Sequence, residues 1–433
     1  MKKINVLFEC NSCRDYAFAK SFSMSPILNK LYIMGDNKFA RGFGLYVEKK
    51  GLKYLQFIKE KNIDLFISFN DKQVLENLID YNRFYLKIPS IGSTKKSFFL
   101  EASKYEAKDF MNKYGILTPK YILLHSVSDL NKALKIFKFP FVLKSNTLSA
   151  GFGVHIVNNE KEAEYILNRL AERAAYEHEF LKFDYHFDNN IKVVAEEYIN
   201  GEEITLQSVW DGKKLKTFLP IKDYKRALDN DLGQNTGGMG GYIPVNIDYK
   251  KQKLVQKYLK KLECALKKSK QNFTGFISSN LMFSGNKLYN LEFNMRPGDT
   301  EGQLLSEHLK TDFLSILYAT ATGNLDKINF EYKEGVTACV VIANDAYLNK
   351  KYLLNDEIKQ TKLSKLNLST VSQDVELFFS CYLEEGSNNV LQTSVPDRIM
   401  NICFTSKQPF KKIYDEINKI ECVNVHFRTD IGK

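Results

Sequence analysis

A strand-like run near residue 295 brings together acidic, amide and basic side chains. By the two-residue period of a strand, Glu292, Asn294 and Arg296 share one face, and apolar side chains alternate onto the other. A carboxylate and an amide oxygen on one face suit a hard Mg²⁺ ion that bridges nucleotide phosphates. An arginine two residues further can hold negative charge that develops on a transferring group. A salt bridge would not need the asparagine, so the run predicts a Mg²⁺–nucleotide site.

A second segment combines a lysine at the end of a strand with a glycine-containing turn. Lys144 ends the apolar strand 141–144, so its ammonium is expected at the edge of a sheet. Gly151 and Gly153 follow, and glycines let backbone N–H groups approach phosphates closely. A surface lysine and an ordinary tight turn explain this segment equally well when it is taken alone.

A third segment, residues 193–203, has the pattern of a strand followed by an acidic turn. Such a strand can present backbone groups to an adenine edge, and a carboxylate after it can bind ribose hydroxyls. For the segment by itself, an edge strand with an acidic turn is the simpler explanation.

Five glycines stand between residues 233 and 241, mixed with Asn, Thr and Met. Ordering so many glycines costs considerable chain entropy, so we expect a backbone that lies against a ligand or turns sharply. A flexible linker would mix its glycines with serine instead. The segment follows Asp223, Lys225 and Arg226, which can supply charge for substrates or phosphates.

The elements that must position these residues alternate between strands and helices from the start of the chain. Such alternation predicts a parallel α/β sheet over roughly the first 100 residues. An amphipathic helix is predicted over 104–114 and a long helix over about 249–269. The predicted N-terminal strands are 4–8, 30–34 and 64–68.

Composition narrows the class of protein. The 433 residues are 44% hydrophobic and 26% charged, which is typical of a globular protein with a packed core. No run approaches the roughly 18 apolar residues of a membrane span, so we expect a cytoplasmic protein with no membrane partner. The net charge of +11 comes from lysines spread along the chain, so we expect no nucleic-acid partner. Cys10 and Cys13 form a CxxC pair that no second pair or nearby His completes as a zinc site.

Together these segments resemble glycinamide ribonucleotide synthetase (phosphoribosylamine–glycine ligase), an ATP-grasp family. The match runs colinearly along the whole chain. Its most specific parts are NTGGMGGY at 235–242, LEFNMRPGDTEGQ at 291–303 and FRTDIG at 427–432.

The resemblance implies a mixed α/β ATP-grasp fold and an arrangement in parts. A parallel α/β domain would occupy residues 1–102 and a β-rich domain residues 331–433. The ATP-grasp domain would span 103–330 and include a small lid at about 120–192. ATP would lie between the lid and the main domain with Mg²⁺, or alternatively Mn²⁺, and the protein would be a monomer or homodimer that acts on small molecules.

The resemblance also implies roles for individual residues. Those expected to bind ATP are Lys104, Lys144, Gly151, Gly153, Glu196, Tyr198, Ile199 and Glu203. Glu292 and Asn294 would hold the metal, and the catalytic cations would be Arg296, Lys225 and Arg226. Those expected to bind substrate are Asn11, Ser12, Arg14, Asp71, Asp223, Asn235, Thr236, Gly237, Gly238, Met239 and Asp299.

The chain departs from the family most at the end that binds the amine substrate. The family's glycine-rich GSGGREHA loop, which binds the phosphate of the amine, reads CNSCRDYA at 10–17, and its GPE turn becomes FND at 69–71. Side chains replace positions that allow positive φ and close backbone approach. Changes at the ATP and metal positions are few. Asn280, twelve residues before Glu292, either joins the metal shell or is a plain strand residue.

These observations predict an ATP-dependent carboxylate–amine ligase. A carboxylate attacks the γ-phosphoryl group of Mg·ATP to give an acyl phosphate and ADP, and an amine then displaces phosphate. The altered loop favours a diverged ligase for another substrate pair, for example a sugar acid. The alternative is a true phosphoribosylamine–glycine ligase of purine synthesis. The retained Lys144, Glu292, Asn294 and Arg296 argue against a third candidate, a non-catalytic nucleotide-binding relative.

Overall fold

The N-terminal segment of the computed structural model forms a parallel sheet. The model describes residues 3–48, 57–70, 74, 76–148, 153–181, 192–352, 362–387 and 390–433. The sheet strands are β1 (Ile4–Glu9), β2 (Leu28–Met34), β3 (Leu45–Tyr46), β4 (Leu65–Ile67) and β5 (Ser90–Ile91). The α-helices of this part whose bounds are described are α1 (Cys13–Ser23), α2 (Leu78–Asp80) and α3 (Phe99–Ala102). The predicted parallel α/β sheet is confirmed.

The order of this sheet, β3-β2-β1-β4-β5, creates a crevice between β1 and β4. The chain progresses away from β1 in one direction through β2 and β3 and in the other through β4 and β5. The carboxyl ends of β1 and β4 therefore lie at a topological switch point, where open α/β sheets bind ligands.

A second sheet, which is antiparallel, is formed by the region predicted as a lid, and we call it the lid sheet. Its order is β6-β9-β7-β8, and α4 (Lys104–Lys113) precedes it as the predicted amphipathic helix. Its strands are β6 (Tyr121–Leu124), β7 (Phe141–Ser145), β8 (Val154–Val157) and β9 (Val193–Glu197), with helices α5 (Leu130–Ile136) and α6 (Glu160–Leu181). Helix α6, with 22 residues, is the longest helix of this part of the described chain.

The central sheet is also antiparallel and carries the predicted metal-binding run. Its order is β11-β10-β16-β17. The strands are β10 (Glu202–Trp210), β11 (Leu215–Thr217), β16 (Gly275–Ser284) and β17 (Lys287–Asn294), packed against α7 (Tyr249–Lys268). A register shift pairs Asn280 with Glu292 but Leu281 with Asn290, so Leu291 is an extra residue on β17. Such bulges often re-aim side chains beside active sites.

A six-stranded sheet joins the middle of the chain to its C-terminal part. Its main path is β12-β15-β18-β23-β20, and β25 pairs with β18. The strands are β12 (Lys222–Asp223), β15 (Gly240–Ile243), β18 (Val336–Asn344), β20 (Glu376–Phe379), β23 (Arg398–Ser406) and β25 (Val425–His426). Strands from both sides of residue 330 share this sheet. The predicted boundary at 330/331 therefore cuts through hydrogen-bonded strands, and the division into domains stays a prediction.

The remaining elements pack around these sheets. A hairpin consists of β13 (Arg226–Leu228) and β14 (Leu232–Asn235), and a small sheet consists of β19 (Ser364–Asn367), β21 (Glu384–Glu385), β22 (Val390–Thr393) and β24 (Glu421–Val423). The remaining helices are α8 (Glu301–His308), α9 (Phe313–Ala321) and α10 (Pro409–Ile417). No helix in the described ranges is long and apolar enough to cross a membrane.

The terminal FRTDIG motif has a structural explanation. Arg428 is fully buried, and its guanidinium donates to both carboxylate oxygens of Asp430 and to Asp231 Oδ1 at 2.9 Å. It also donates to the backbone oxygen of Arg226. These contacts hold the β13–β14 hairpin against the end of the chain.

Candidate active site

Two lysines that were predicted to bind phosphates lie where the lid sheet meets the central sheet. Lys144, at the end of β7, is only 5% exposed and forms an ion pair with Glu196 on β9. Burial alone would lower the pKa of Lys144, but Glu196 and Glu292 outweigh it and raise that pKa. Lys104, at the start of α4, donates from Nζ to the carbonyl of Thr147 at 2.8 Å, and burial lowers its pKa. The ammonium groups of Lys104 and Lys144 create a region of positive electrostatic potential that suits an anion.

The predicted metal ligands share one face, as expected. Glu292 and Asn294 are partly exposed, whereas Phe293 and Met295 are 2% and 3% exposed in the core. Burial would raise the pKa of Glu292, but Lys104, Lys144 and Lys225 outweigh it, so the carboxylate is ionised, as a metal ligand must be. No group of three or more His, Cys, Asp or Glu in the described ranges could hold a metal alone. The donor set fits a Mg²⁺ ion that takes its other ligands from nucleotide phosphates.

Asn280 orients the metal-ligand candidate Glu292. Its side-chain Nδ2 donates to Glu292 Oε1 at 2.8 Å, and its Oδ1 accepts from the hydroxyl of Thr205 at 3.3 Å. The amide oxygen is therefore engaged on the far side. Of the two roles left open by the sequence, this geometry favours that of a strand residue that positions Glu292.

Arg296 lies just beyond β17 and borders a group of charged side chains, here called the cleft, that includes Glu292, Lys225, Asp223 and Glu301. It is 25% exposed, and its Nε lies 3.1 Å from Glu101 Oε1. The other oxygen of Glu101 accepts from the backbone N–H of Met295 at 2.7 Å. Glu101, which sequence reasoning missed, thus fixes both the end of β17 and the arginine. The guanidinium is placed to meet negative charge in the cleft.

Asp223 presents a buried carboxylate oxygen that no other described residue binds. Its side chain is 7% exposed, and its Oδ1 has no hydrogen-bond partner within the described ranges. Lys225 Nζ lies 4.0 Å from Asp223 Oδ2 and pairs with Glu203. Burial and the carboxylate of Glu301 raise the pKa of Asp223, and burial raises that of Glu301. An added cation, such as a ligand ammonium, would stabilise this pair of carboxyl groups.

The Arg226 side chain contacts its own hairpin, and its predicted catalytic role stays a prediction. It lies on β13, and its guanidinium donates to the carbonyl of Gly233 in its own hairpin at 2.8 Å. That contact directs it to the turn of the hairpin. The adjacent cation, Lys225, instead pairs with Glu203 and lies 4.0 Å from Asp223 Oδ2.

The glycines of the NTGGMGGY segment serve two different purposes. Gly240 and Gly241 lie in β15, where a Cβ would collide with backbone oxygens of the neighbouring strands. Gly238 has a φ of +110°, and a Cβ on it would lie 3.0 Å from Asp223 Oδ1. Gly237 accepts at its carbonyl from Arg398, at 2.8 Å. Gly237 and Gly238 therefore border Arg398 and Asp223. Gly240 and Gly241 are instead required by the close packing of the strands.

Three other members of this segment lie around the cleft loop. The Met239 side chain is fully buried with Ala343 and Tyr347, and its predicted substrate-binding role stays a prediction. Thr236 is 2% exposed, and its hydroxyl accepts from the N–H of Gly238. Asn235 ends β14, opposite Arg226. These contacts fix the loop in advance of any ligand.

Asp299 stands at the junction between the central and C-terminal parts. Its Oδ1 accepts from Gln303 at 2.6 Å and lies 3.6 Å from Arg398 of β23. Sequence reasoning missed Arg398, because it lies about a hundred residues beyond the motif that it contacts. The structure nevertheless brings it to the same cleft as Asp299 and Gly237.

The altered loop after β1 caps helix α1 from within. Residues 10–13 do not adopt positive φ, as expected for residues that carry a Cβ atom. The Ser12 hydroxyl accepts from the N–H of Asp15, and the Asn11 N–H donates to Asp15 Oδ2 at 3.0 Å. A side-chain carboxylate of the protein therefore already occupies part of this helix start.

Glu9, the last residue of β1, connects the carboxyl ends of β1 and β4. It is 3% exposed, and its Oε2 accepts from the hydroxyl of Ser68 at 2.6 Å. Its Oε1 accepts from the side chains of Asn70, at 3.0 Å, and Asn11, at 3.4 Å. Two of the residues that depart from the family pattern, Asn11 and Asn70, thus meet on one buried carboxylate.

The Arg14 side chain is engaged within the protein, and its predicted substrate-binding role stays a prediction. It is 6% exposed, and its guanidinium donates to Asp15 Oδ1, to the Pro297 carbonyl at 2.8 Å and to the Phe69 carbonyl at 3.4 Å. All of these acceptors belong to the protein. Arg14 therefore ties the N-terminal sheet to the segment that follows β17.

The predicted adenine-binding segment follows β9. Tyr198 is 37% exposed and Ile199 is partly exposed, so both are accessible to a ligand. The carbonyl of Gly153 accepts from the N–H of Ser145 at the base of the predicted phosphate-binding turn. Gly151 and Asp71 lie outside the described residues.

Comparisons with known proteins agree on one family. A family model described as phosphoribosylglycinamide synthetase, ATP-grasp (A) domain, matches residues 102–302. The chain is similar to the phosphoribosylamine–glycine ligase of Fusobacterium nucleatum, with 30% identity over 99% of this chain and 98% of that protein. It is also similar to the phosphoribosylamine–glycine ligase of Caldanaerobacter subterraneus, with 32% identity over 97% of each.

Solved structures confirm the mixed α/β ATP-grasp fold. The crystal structure of phosphoribosylamine–glycine ligase from Thermotoga maritima matches with a TM-score of 0.79 at 24% identity, over 99% of this chain and 100% of that one. The biotin carboxylase domain of the Hydrogenobacter thermophilus 2-oxoglutarate carboxylase, solved with MgADP, matches with a TM-score of 0.70 at 14% identity, over 99% and 92%.

Proposed function

Since the chain belongs to the phosphoribosylglycinamide synthetase family of ATP-grasp ligases, we propose that it joins glycine to phosphoribosylamine and releases ADP and phosphate. The near full-length relatives carry this activity in their names. They favour this alternative over the sugar-acid substrate that the altered loop suggested. ATP and Mg²⁺ are the proposed co-substrate and metal.

The observation that carries the choice of glycine is the unpartnered oxygen of Asp223. Glycine retains its ammonium while its carboxylate reacts, and that ammonium needs a buried acceptor. Asp223 Oδ1 offers one beside Lys225, and Arg296 lies in the same electrostatic neighbourhood through Glu301. A sugar acid has no ammonium to satisfy this carboxylate, so the site fits a small amino acid better.

The proposed mechanism assigns each protein group a task in two steps. Lys104 and Lys144 bind the phosphates, and Glu292 and Asn294 would hold Mg²⁺, which supplies charge neutralisation. Asp223 orients glycine so that its carboxylate faces the γ-phosphoryl group. Arg296 then stabilises charge on the resulting acyl phosphate until the amine attacks the acyl carbon and phosphate leaves.

A second candidate is a ligase of the same type that takes an amine without a phosphate. The buried Glu9 at the switch-point crevice and the Asp15 carboxylate at the start of α1 favour it. Both place negative charge near the site where the family binds a phosphate. The two candidates share ATP, Mg²⁺ and glycine and differ only in the amine.

A paired assay separates the two candidates. ADP release is measured with Mg·ATP, saturating glycine and either phosphoribosylamine or ribosylamine. We expect kcat/KM for phosphoribosylamine to be at least about tenfold higher and to reach about 10⁴ M⁻¹s⁻¹. A preference for ribosylamine would establish the second candidate. ADP release that does not depend on glycine would overturn both.

A further inference from the structure

A fully buried lysine outside the predicted site lies directly behind the nucleotide lysines. Lys108, on α4, is 1% exposed. Its Nζ lies 2.5 Å from Glu196 Oε2 and donates to the Thr118 hydroxyl at 3.0 Å and the Leu291 carbonyl at 3.5 Å. Burial lowers the pKa of Lys108, which the pairing with Glu196 opposes.

Lys108, Glu196 and Lys144 form a buried cluster of two cations and one carboxylate. Glu196 is 2% exposed and binds Lys108 through Oε2 and Lys144 through Oε1. Burial would raise the pKa of Glu196, but Lys108 and Lys144 outweigh it and lower that pKa. The three side chains of the cluster therefore carry a net charge of +1.

The surplus charge matters when Lys144 turns to a phosphate. An ammonium that contacts a nucleotide must weaken its pairing with Glu196. A buried carboxylate that loses its only cation is strongly destabilised. Lys108 stays on the other oxygen of Glu196, so the carboxylate remains compensated while Lys144 is shared.

Lys108 also joins the elements that surround the nucleotide site. It starts from α4, contacts β9 through Glu196, and binds the carbonyl of Leu291. Leu291 is the bulged residue immediately before Glu292 on β17. One side chain thus connects the phosphate-binding lysine of the lid sheet to the strand that carries the metal-ligand candidates.

We propose that Lys108 is a positioning residue that keeps Glu196 neutralised and thereby releases Lys144 to bind nucleotide phosphate. The inference rests on the proposed role of Lys144 in ATP binding. It adds a residue to the ATP site that touches neither nucleotide nor metal.

The test measures Mg²⁺-dependent binding of a non-hydrolysable ATP analogue by calorimetry, with thermal unfolding as a check of folding. In Lys108→Met, Glu196 keeps Lys144 as its only cation, so we expect the Kd to rise at least about tenfold. In the double variant Lys108→Met/Glu196→Gln, the cluster again carries one net positive charge. We expect that variant to bind at least about fivefold more tightly than Lys108→Met.

The matched control is Lys113→Met, an exposed lysine on the same helix, which should bind like the wild type. If Lys108→Met binds like the wild type, or if the double variant binds as weakly as a folded Lys108→Met, the proposal is overturned. If Lys108→Met does not fold, tight binding by the double variant still supports the proposal and weak binding refutes it. A wild-type protein that fails to bind the analogue refutes the proposed function instead.

Discussion

At the residue scale, the site depends on charges that the surrounding protein keeps ionised or leaves unpaired. Glu292 is held ionised by three lysines and is oriented by Asn280. Asp223 is the opposite case, since burial and Glu301 raise its pKa and one of its oxygens has no partner in the described ranges. An ionised carboxylate suits a metal, and a strained acidic pair suits a cationic ligand.

The metal assignment predicts a large and specific loss of activity. Glu292→Gln and Asn294→Ala should each lower the kcat/KM of Mg²⁺-dependent ADP formation at least about a hundredfold, because one oxygen ligand is weakened or lost. Asn294→Asp keeps an oxygen ligand and should retain more activity than Asn294→Ala. Circular dichroism should show an unchanged fold. Activity within about threefold of the wild type in Glu292→Gln would exclude this residue as a metal ligand.

The glycine assignment predicts a substrate-selective defect. Asp223→Asn removes the negative charge that faces the ammonium, so the KM for glycine should rise at least about tenfold while the KM for ATP changes little. Asp326→Asn, at an exposed position, is the control and should match the wild type. Steady-state ADP release at varied glycine and ATP measures both constants. An unchanged KM for glycine would remove Asp223 from the substrate site.

At the element scale, periodicity predicted the strands and helices well and their contacts poorly. The strand over 4–8 and the helix near 249–269 follow from local patterns, and the structure has them at Ile4–Glu9 and Tyr249–Lys268. Lys108 could have been noticed, since it stands between Ala107 and Met111 on the buried side of α4. Arg398 could not, because no local pattern reports which distant strand approaches a loop. The bulge at Leu291 likewise depends on pairing between strands.

His308 on helix α8 is expected to make the free energy of unfolding depend on pH. His308 is buried, donates or accepts at Thr337 Oγ1 over 2.9 Å, and has its pKa lowered by burial to about 4. The unfolded chain takes up this proton near pH 6.5, so the stabilisation is present above that pH and is lost as pH falls toward 4.

The measurement compares the wild type with His308→Gln in urea at several pH values. The difference in free energy of unfolding should fall by up to roughly 3 kcal/mol between pH 7 and pH 4. His125→Gln, at an exposed position, serves as the control. A difference that stays constant across this range would show that His308 does not titrate as the structure predicts.

At the scale of the whole molecule, one hydrophobic core includes residues from all three predicted domains, 1–102, 103–330 and 331–433. Phe18 of α1 stacks on Phe313 of α9 with ring centroids 4.8 Å apart, and Phe276 of β16 lies 6.3 Å from Phe313. The same core includes Cys339 and Cys403 of the six-stranded sheet. Interfaces this apolar resemble the interior of one domain more than contacts between separate domains.

Shared packing predicts unfolding in a single transition. Phe313→Ala should lower the free energy of unfolding by about 3–5 kcal/mol through the cavity it leaves. The single tryptophan, Trp210, reports the central sheet by fluorescence, and circular dichroism reports the whole chain. Both transitions should shift together, whereas Tyr249→Ala, 69% exposed, should leave them unchanged. Two separate transitions in the wild type would contradict a shared core.

The most direct test of the central claim follows oxygen atoms from glycine. The protein is incubated with Mg·ATP, phosphoribosylamine and glycine labelled with ¹⁸O in both carboxylate oxygens, and the products are analysed by mass spectrometry. Formation of an acyl phosphate on glycine requires that one labelled oxygen appear in inorganic phosphate and the other in the amide of the product. We predict this distribution, in step with ADP release. Unlabelled phosphate formed together with ADP would mean that water or another carboxylate is the acceptor, and the proposed ligation would be wrong.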